Sequence, residues 1–122
     1  MTTDAKPRLS MIMLGTADPD RSAAFYTDTL GFALRSRFEE FAFLDAGGVM
    51  LGLSGDLMRT RPRTGAEPVE VVIAVESVTR SFDALRRKGV DFLREPRVVD
   101  GTNYAATFED PDGHLLSLFG PR

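Results

Sequence analysis

Apolar residues recur at every second position in eight short stretches of the chain, and each stretch is predicted to be a β-strand. In the first stretch, Ile12 and Leu14 share one face. Met11 and Met13 share the other, so both faces are largely apolar and both are expected to be covered. The predicted strands are residues 8–15, 32–38, 41–46, 49–54, 69–75, 90–96, 102–109 and 114–119.

Two further stretches have the helical period of three to four residues. The first is predicted to begin at Asp18, an N-cap followed by Pro19, and to end at Gly31. The second is predicted to begin at Ser77 and to end at Gly89. The apolar stripes of the two helices are Ala23, Tyr26 and Leu30, and Val78, Phe82 and Leu85.

The chain contains an internal duplication. A strand–turn–strand pattern begins at Phe43 and returns at Phe108 with a constant offset of 65 residues. The other matched pairs are Asp45 and Asp110, Gly48 and Gly113, Leu51 and Leu116, and Leu53 and Leu118. The sequence therefore predicts one α+β domain over residues 1–122, with βαβββ modules at 8–54 and 69–120 and a linker at 55–68. Together the modules would form a curved eight-stranded sheet around a cleft.

The predicted linker is locally basic, with Arg59, Arg61 and Arg63. We interpret it as a solvated loop. The alternative is a rim that steers anions toward a pocket.

Alternation within the strands assigns a face to each residue. The helix-facing positions are Ile12, Leu14, Leu51, Leu53, Val71, Ile73, Leu116 and Leu118. The cleft-facing positions are Met11, Met13, Met50, Gly52, Glu70, Val72, Ala74, Leu115, Ser117 and Phe119. Tyr104 and Phe41, on inner strands, are expected in the cleft wall or the core.

Composition narrows the function class. The 122 residues carry a net charge of −3, which argues against nucleic acid as a partner. No apolar run is long enough to span a membrane, and the first residues lack the apolar core of a signal peptide. There is no cysteine, so disulfides and thiolate chemistry are excluded and a cytoplasmic location is expected.

Two motifs carry a resemblance to a known family. Residues 18–32 read Asp-Pro-Asp-Arg-Ser-Ala-Ala-Phe-Tyr-Thr-Asp-Thr-Leu-Gly-Phe, and residues 109–118 read Glu-Asp-Pro-Asp-Gly-His-Leu-Leu-Ser-Leu. With the duplication, they make residues 8–120 similar to the vicinal oxygen chelate superfamily. That superfamily includes glyoxalase I, extradiol dioxygenases, fosfomycin-modifying enzymes and bleomycin-resistance proteins. The resemblance implies the predicted fold and a homodimer, often with clefts completed across subunits.

The resemblance also implies where a metal would be held, because metalloenzymes of this family use side chains on the first and last strands of each module. The matching positions are Met11 and Gly52 in the first module, and Glu70 and Ser117 in the second. A thioether, a missing side chain and a neutral hydroxyl are poor ligands for a divalent cation, which leaves Glu70 alone. We expect no metal and no cofactor.

Single residues allow more than one interpretation. His114, the only histidine, is expected to be a solvent-facing turn residue rather than a ligand. Asp110 and Asp112 are expected to form the turn rather than an acid pair. Glu70 is either a carboxylate paired with an arginine, with Arg35 and Arg37 as candidates, or a polar anchor or general base.

The function predicted is metal-free binding of a small apolar or aromatic molecule, of the antibiotic-sequestration type. The alternative is a metal-dependent lyase, isomerase or dioxygenase with an incomplete metal site. Glu70 would be the catalytic residue, if there is one. The predicted ligand-binding residues are Met11, Met13, Met50, Gly52, Glu70, Tyr104, Ser117 and Phe119.

Overall fold

Two four-stranded sheets carry the fold, as seen in a computed structural model that describes residues 9–60 and 69–122. The elements are β1 (Met11–Gly15), α1 (Pro19–Ala24), a π-helical segment (Phe25–Thr29), β2 (Ala33–Phe38), β3 (Phe41–Asp45), β4 (Met50–Ser54), α2 (Gly55–Thr60), β5 (Glu70–Ala74), α3 (Val78–Arg87), β6 (Phe92–Asp100), β7 (Asn103–Glu109) and β8 (Leu115–Pro121). None of the helices within the described residues is both long and apolar enough to cross a bilayer.

The two sheets have the same topology. Their strand orders are β1-β4-β3-β2 and β5-β8-β7-β6. The first strand of each module pairs in parallel with the last, and the other neighbours are antiparallel. The predicted α+β fold of two βαβββ modules is confirmed, with its eight strands divided between two separately hydrogen-bonded sheets.

The predicted helix boundaries are confirmed by their caps. The side chain of Asp18 accepts a 3.2 Å hydrogen bond from the backbone of Arg21, and Ser77 accepts one of 3.2 Å from Arg80. Gly31 follows the first helical stretch with a φ of +83°, a conformation that glycine adopts without strain. The widening of the first helix into a π turn at Phe25–Thr29 has no counterpart in the prediction.

The linker prediction needs a correction, because residues Gly55–Thr60 form a helix. Ser54 begins it by accepting a 2.9 Å hydrogen bond from the backbone N–H of Leu57. Arg59 is paired with Glu40 at 2.7 Å, which is an ordinary surface ion pair. Arg61 and Arg63 lie outside the described residues.

One hydrophobic core serves both modules. The predicted helix-facing residues Leu14, Leu51, Leu53, Leu116 and Leu118 are all buried in it. The helices add Tyr26 from the first module and Val78 from the second. The rings of Phe25 and Phe108 lie 6.5 Å apart, across the boundary between the modules.

The turn before β8 connects the second module to the first. Asp110 accepts hydrogen bonds from the backbone of Asp112 at 2.9 Å and of His114 at 2.8 Å, as expected of a turn former. Asp112 in turn accepts a 2.9 Å bond from the backbone N–H of Ala17. The prediction of a solvent-facing His114 was wrong: its Nε2 lies 2.6 Å from the carbonyl oxygen of Gly15, because the turn packs against the end of β1.

Candidate functional site

The sheet of the first module has a face that α1 does not cover, here called the apolar face. Helix α2 covers only its Gly15 end, where the backbone of Met58 lies 3.1 Å from the position of an added Cβ atom. Strand register places Met13 opposite Gly52 and Met11 opposite Met50 on this face. Phe43, the antiparallel partner of Gly52, lies on the same face.

Gly52 provides the space into which two thioethers fold. A Cβ atom added there would overlap the sulfur of Met13 and would lie 3.3 Å from the sulfur of Met11. The stacked rings of Phe41 and Phe43, with centroids 6.2 Å apart, extend the same wall. Flexible, polarizable thioethers beside aromatic rings form a surface that adapts to apolar ligands.

The sheet of the second module has a different open face. A hydrogen-bonded chain, here called the polar row, crosses all four strands through Glu70, Ser117, Thr107 and Arg97. The Ser117 hydroxyl donates a 2.5 Å bond to Oε2 of Glu70. The hydroxyls of Ser117 and Thr107 are 2.8 Å apart, and Nη2 of Arg97 lies 3.5 Å from the Thr107 hydroxyl.

The two end residues of the polar row, Arg97 and Glu70, determine the direction in which its hydrogen bonds are donated. A guanidinium only donates and a carboxylate only accepts, so each hydroxyl between them accepts from the arginine side and donates toward the glutamate. Thr107 and Ser117 are buried, at 5% and 3% exposure, and both are satisfied by these bonds. The row therefore presents an acceptor at Glu70 and a donor at Arg97.

The predicted arginine partners of Glu70 were wrong. Arg35 is paired with Asp45 at 2.7 Å and Arg37 with Asp20 at 2.9 Å. Both arginines lie on β2, the far edge of the first sheet, whereas Glu70 begins β5 of the second. Glu70 itself is exposed and anchored by Ser117.

Of the two placements predicted for Tyr104, the cleft wall and the core, the structure shows the core, so its assignment to the ligand-binding residues needs a correction. Tyr104 packs against the core cluster, on the helix side of its sheet, and so it does not line the open face. Phe119, opposite Ala105 and Ala74, lies on the open face as expected. Met50 shares the apolar face with Met11, as predicted from alternation.

Residues of the two open faces meet at one cavity of about 710 Å³, which Met13 of the first face and Leu115 of the second both line. A second cavity, of about 520 Å³, lies between the modules. Its lining combines helix-side residues with open-face residues of β5, among them Ile12, Leu51, Ile73, Glu70 and Val72. On the open faces, Met11 is 36% exposed and Val72 is 56% exposed. Among residues 9–60 and 69–122, no hydrogen bond or ion pair joins Met11 or Gly52 to Glu70 or Ser117.

The residues at the expected metal positions do not fit a divalent cation. Met11 offers a soft thioether, Gly52 has no side chain, and the Ser117 hydroxyl is engaged by Glu70 and Thr107. One carboxylate remains, which is too few ligands to retain a hard cation. Within the described part of the chain, no group of three or more histidine, cysteine, aspartate or glutamate side chains has the geometry to hold a metal.

Sequence reasoning missed Thr107 and Arg97. Thr107 lies opposite Ser117 in the β7–β8 register, so the pairing of the last two strands was the signal that could have identified it. Arg97 follows a register irregularity in β6, which breaks the alternation used to assign faces. Pro96, within that strand, is the residue that could have indicated an irregular edge strand.

Comparison with known proteins agrees with the fold and the duplication. Residues 8–118 match the model of the Glyoxalase/Bleomycin resistance protein/Dioxygenase superfamily. A probable lactoylglutathione lyase of Vibrio parahaemolyticus is 29% identical, over 91% of this chain and 88% of its own length. One of Synechocystis is 30% identical, over 87% of this chain and 89% of its own.

Solved structures show the same architecture. A glyoxalase/bleomycin resistance protein/dioxygenase from Nocardioides superposes with a TM-score of 0.76 at 26% identity, covering 98% of this chain and 86% of that one. A family enzyme from Burkholderia phytofirmans reaches a TM-score of 0.80 at 19% identity, over 95% of this chain and all of that one, and so supports the fold alone.

Proposed function

Because the chain belongs to the Glyoxalase/Bleomycin resistance protein/Dioxygenase superfamily, we propose that it uses the superfamily's fold to bind a small apolar or aromatic molecule without a metal. The observation that carries this proposal is the packing of the Met11 and Met13 thioethers over Gly52. It puts an adaptable apolar wall at one of the positions where metalloenzymes of the fold hold their ion. Glu70, held by Ser117, would fix a polar group of the ligand.

A homodimer would complete this site. Each open face alone is a half-site exposed to solvent, with Val72 at 56% exposure on one and Met11 at 36% on the other. Seating the apolar face of one copy on the polar row of a second copy would enclose a cleft and cover both faces. We therefore place the ligand between subunits. Sedimentation analysis with and without ligand tests the assembly.

The experiment that tests the function is a thermal-shift screen against antibiotics and aromatic metabolites, followed by calorimetric titration of each hit. Glu70→Leu should weaken binding about tenfold while the protein stays folded, because it removes the anchor for the polar group. Gly52→Leu should block binding by filling the wall. Glu76→Leu, at an exposed glutamate on the loop before α3, is the matched control. Unchanged affinity in both site variants would exclude this site.

A second function, a metal-dependent lyase, isomerase or dioxygenase, is favoured by one observation. Relatives about 30% identical, over most of the chain, are named probable lactoylglutathione lyase. Glu70 is the one carboxylate at the expected metal positions. Elemental analysis of protein purified without chelators separates the two functions: a stoichiometric divalent ion that Glu70→Gln loses would support the enzyme and reject metal-free binding.

A further inference from the structure

Strand β6 contains an extra residue between two arginines. Arg94 is the register partner of Thr107, and Arg97 is the partner of Ala105, so three steps along β6 match two along β7. In a regular strand, residues three apart would point to opposite faces. Because the bulge adds one residue to β6, Arg94 and Arg97 lie on the same face, which is the open face of their partners Thr107 and Ala105.

A second irregularity lies just before Arg94. Phe92 is opposite the buried Phe108 and packs against the core, yet Arg94, two residues later, is opposite Thr107. Regular alternation would have put Arg94 on the core side with Phe92. Two bulges in succession therefore bring two guanidinium groups to one face, at the end of the polar row.

These two arginines have no acidic partner. The three described arginines of the first module, Arg21, Arg35 and Arg37, form ion pairs with a carboxylate, and so does Arg59 of α2. Within residues 9–60 and 69–122, neither Arg94 nor Arg97 has a carboxylate within 4.0 Å. In the part of the chain that the structure describes, Arg97 donates to the Ala105 carbonyl at 3.3 Å and to the Thr107 hydroxyl at 3.5 Å.

Arg94 and Arg97 repel each other on the second open face. Burial and the positive charge of Arg94 lower the pKa of the Arg97 guanidinium from its usual value, while the charge of Glu70 acts in the opposite direction. Arginine remains protonated in proteins, so both cations persist. The two carboxylates of this face, Glu70 and Glu109, lie more than 4.0 Å from both guanidiniums. An anion beside the two guanidiniums would give them the acidic partner that they lack and would reduce their mutual repulsion.

We propose that Arg94 and Arg97 bind the carboxylate of the ligand, so that the ligand class is an aromatic or apolar carboxylic acid. This inference rests on the proposed function, because the apolar face would hold the body of the same molecule. Guanidinium groups match carboxylates with paired, charge-assisted hydrogen bonds. Glu70 lies on β5, three strand spacings from β6, which is roughly 14 Å. At that distance its negative charge would not oppose a ligand carboxylate bound by the two arginines.

The test is a calorimetric titration with 2-naphthoate and with its neutral counterpart, 2-naphthamide. We expect naphthoate to bind about tenfold tighter or more, and its advantage to shrink as salt is raised. Arg94→Gln and Arg97→Gln should each remove this advantage. Arg87→Gln is the matched control, because Arg87 is an exposed arginine at the end of α3.

The outcomes separate this inference from the proposed function. If naphthamide binds as tightly as naphthoate and the two variants change nothing, the carboxylate assignment is overturned while binding at the apolar face stands. If neither compound binds, both are overturned. A loss of affinity in Arg94→Gln cannot be attributed to misfolding, because the hydrogen bonds to Ala105 and Thr107 are made by Arg97 and stay intact in that variant.

Discussion

The hydroxyl of Tyr26 donates a 2.8 Å hydrogen bond to Oδ2 of Asp110, joining the π-helical segment of one module to the turn before the last strand of the other. Both residues are buried, at 0% and 5% exposure. The second oxygen of Asp110 accepts two backbone N–H groups, so the carboxylate is fully engaged. The pair stabilises the docking of the two modules.

Removing that hydroxyl should destabilise the protein. Tyr26→Phe leaves a buried carboxylate short of one donor, and hydrogen bonds to charged groups contribute roughly 1.5–3 kcal/mol. Urea denaturation should show a loss of this size in the free energy of unfolding. Tyr104→Phe is the control, because the Tyr104 hydroxyl makes no hydrogen bond within the described residues, and it should change stability by under about 0.5 kcal/mol. Equal losses in both variants would contradict the assignment.

The same pair predicts a loss of stability in alkali. Burial, and then the negative charge of Asp110, raise the pKa of Tyr26 above its usual value of 10.0. The stabilisation is complete below the unfolded pKa and is lost as the pH rises above it, because only the unfolded state releases the proton. Between pH 9 and 11 the stability advantage over Tyr26→Phe should shrink by about 1.4 kcal/mol. A constant advantage across that range would show that Tyr26 titrates normally in the folded protein.

Two glycines should respond very differently to alanine. A Cβ at Gly120 would overlap the backbone carbonyl oxygen of Val75, which the sheet holds in place, and Gly120→Ala should cost about 3 kcal/mol or more. A Cβ at Gly52 meets the flexible end of Met13, which has room to move, so Gly52→Ala should cost under about 1.5 kcal/mol. Thermal unfolding of the two variants side by side measures the contrast, and similar losses would contradict it.

The middle of the polar row can be interrupted without changing volume. Thr107→Val removes the hydroxyl between Ser117 and Arg97. Ser117 keeps its bond to Glu70, so we expect a loss of only about 1 kcal/mol in stability. Arg97 should gain mobility, seen as a narrower Nε–Hε resonance in NMR spectra. An unchanged resonance would mean that Thr107 does not orient the guanidinium.

The fold was predictable because its signals are local and repeated. Asp18 and Ser77 cap helices as their positions indicated, and Leu51 and Leu116 lie in the core as alternation required. The constant offset of 65 residues made each module a check on the other.

The candidate site was predictable only where strands are regular. The pairing of Glu70 with Ser117 depends on the register between β5 and β8, whereas the sequence offered an arginine partner as one of two interpretations of Glu70. The sequence left Tyr104 in either the cleft wall or the core, because aromatic residues suit both, and the residue packs against the core. The face on which Arg94 and Arg97 lie depends on the bulges in β6, because each bulge shifts the alternation of faces by one residue. The position of a bulge is determined by the partner strand as much as by β6 itself.

The single core shared by the two modules bears on how the modules dock. Leu14 and Tyr26 from one half bury their surface together with Val78 and Phe108 from the other. A single module on its own would expose these side chains to solvent and would need a second copy to cover them. Because both units belong to one chain, their docking is intramolecular and does not depend on protein concentration.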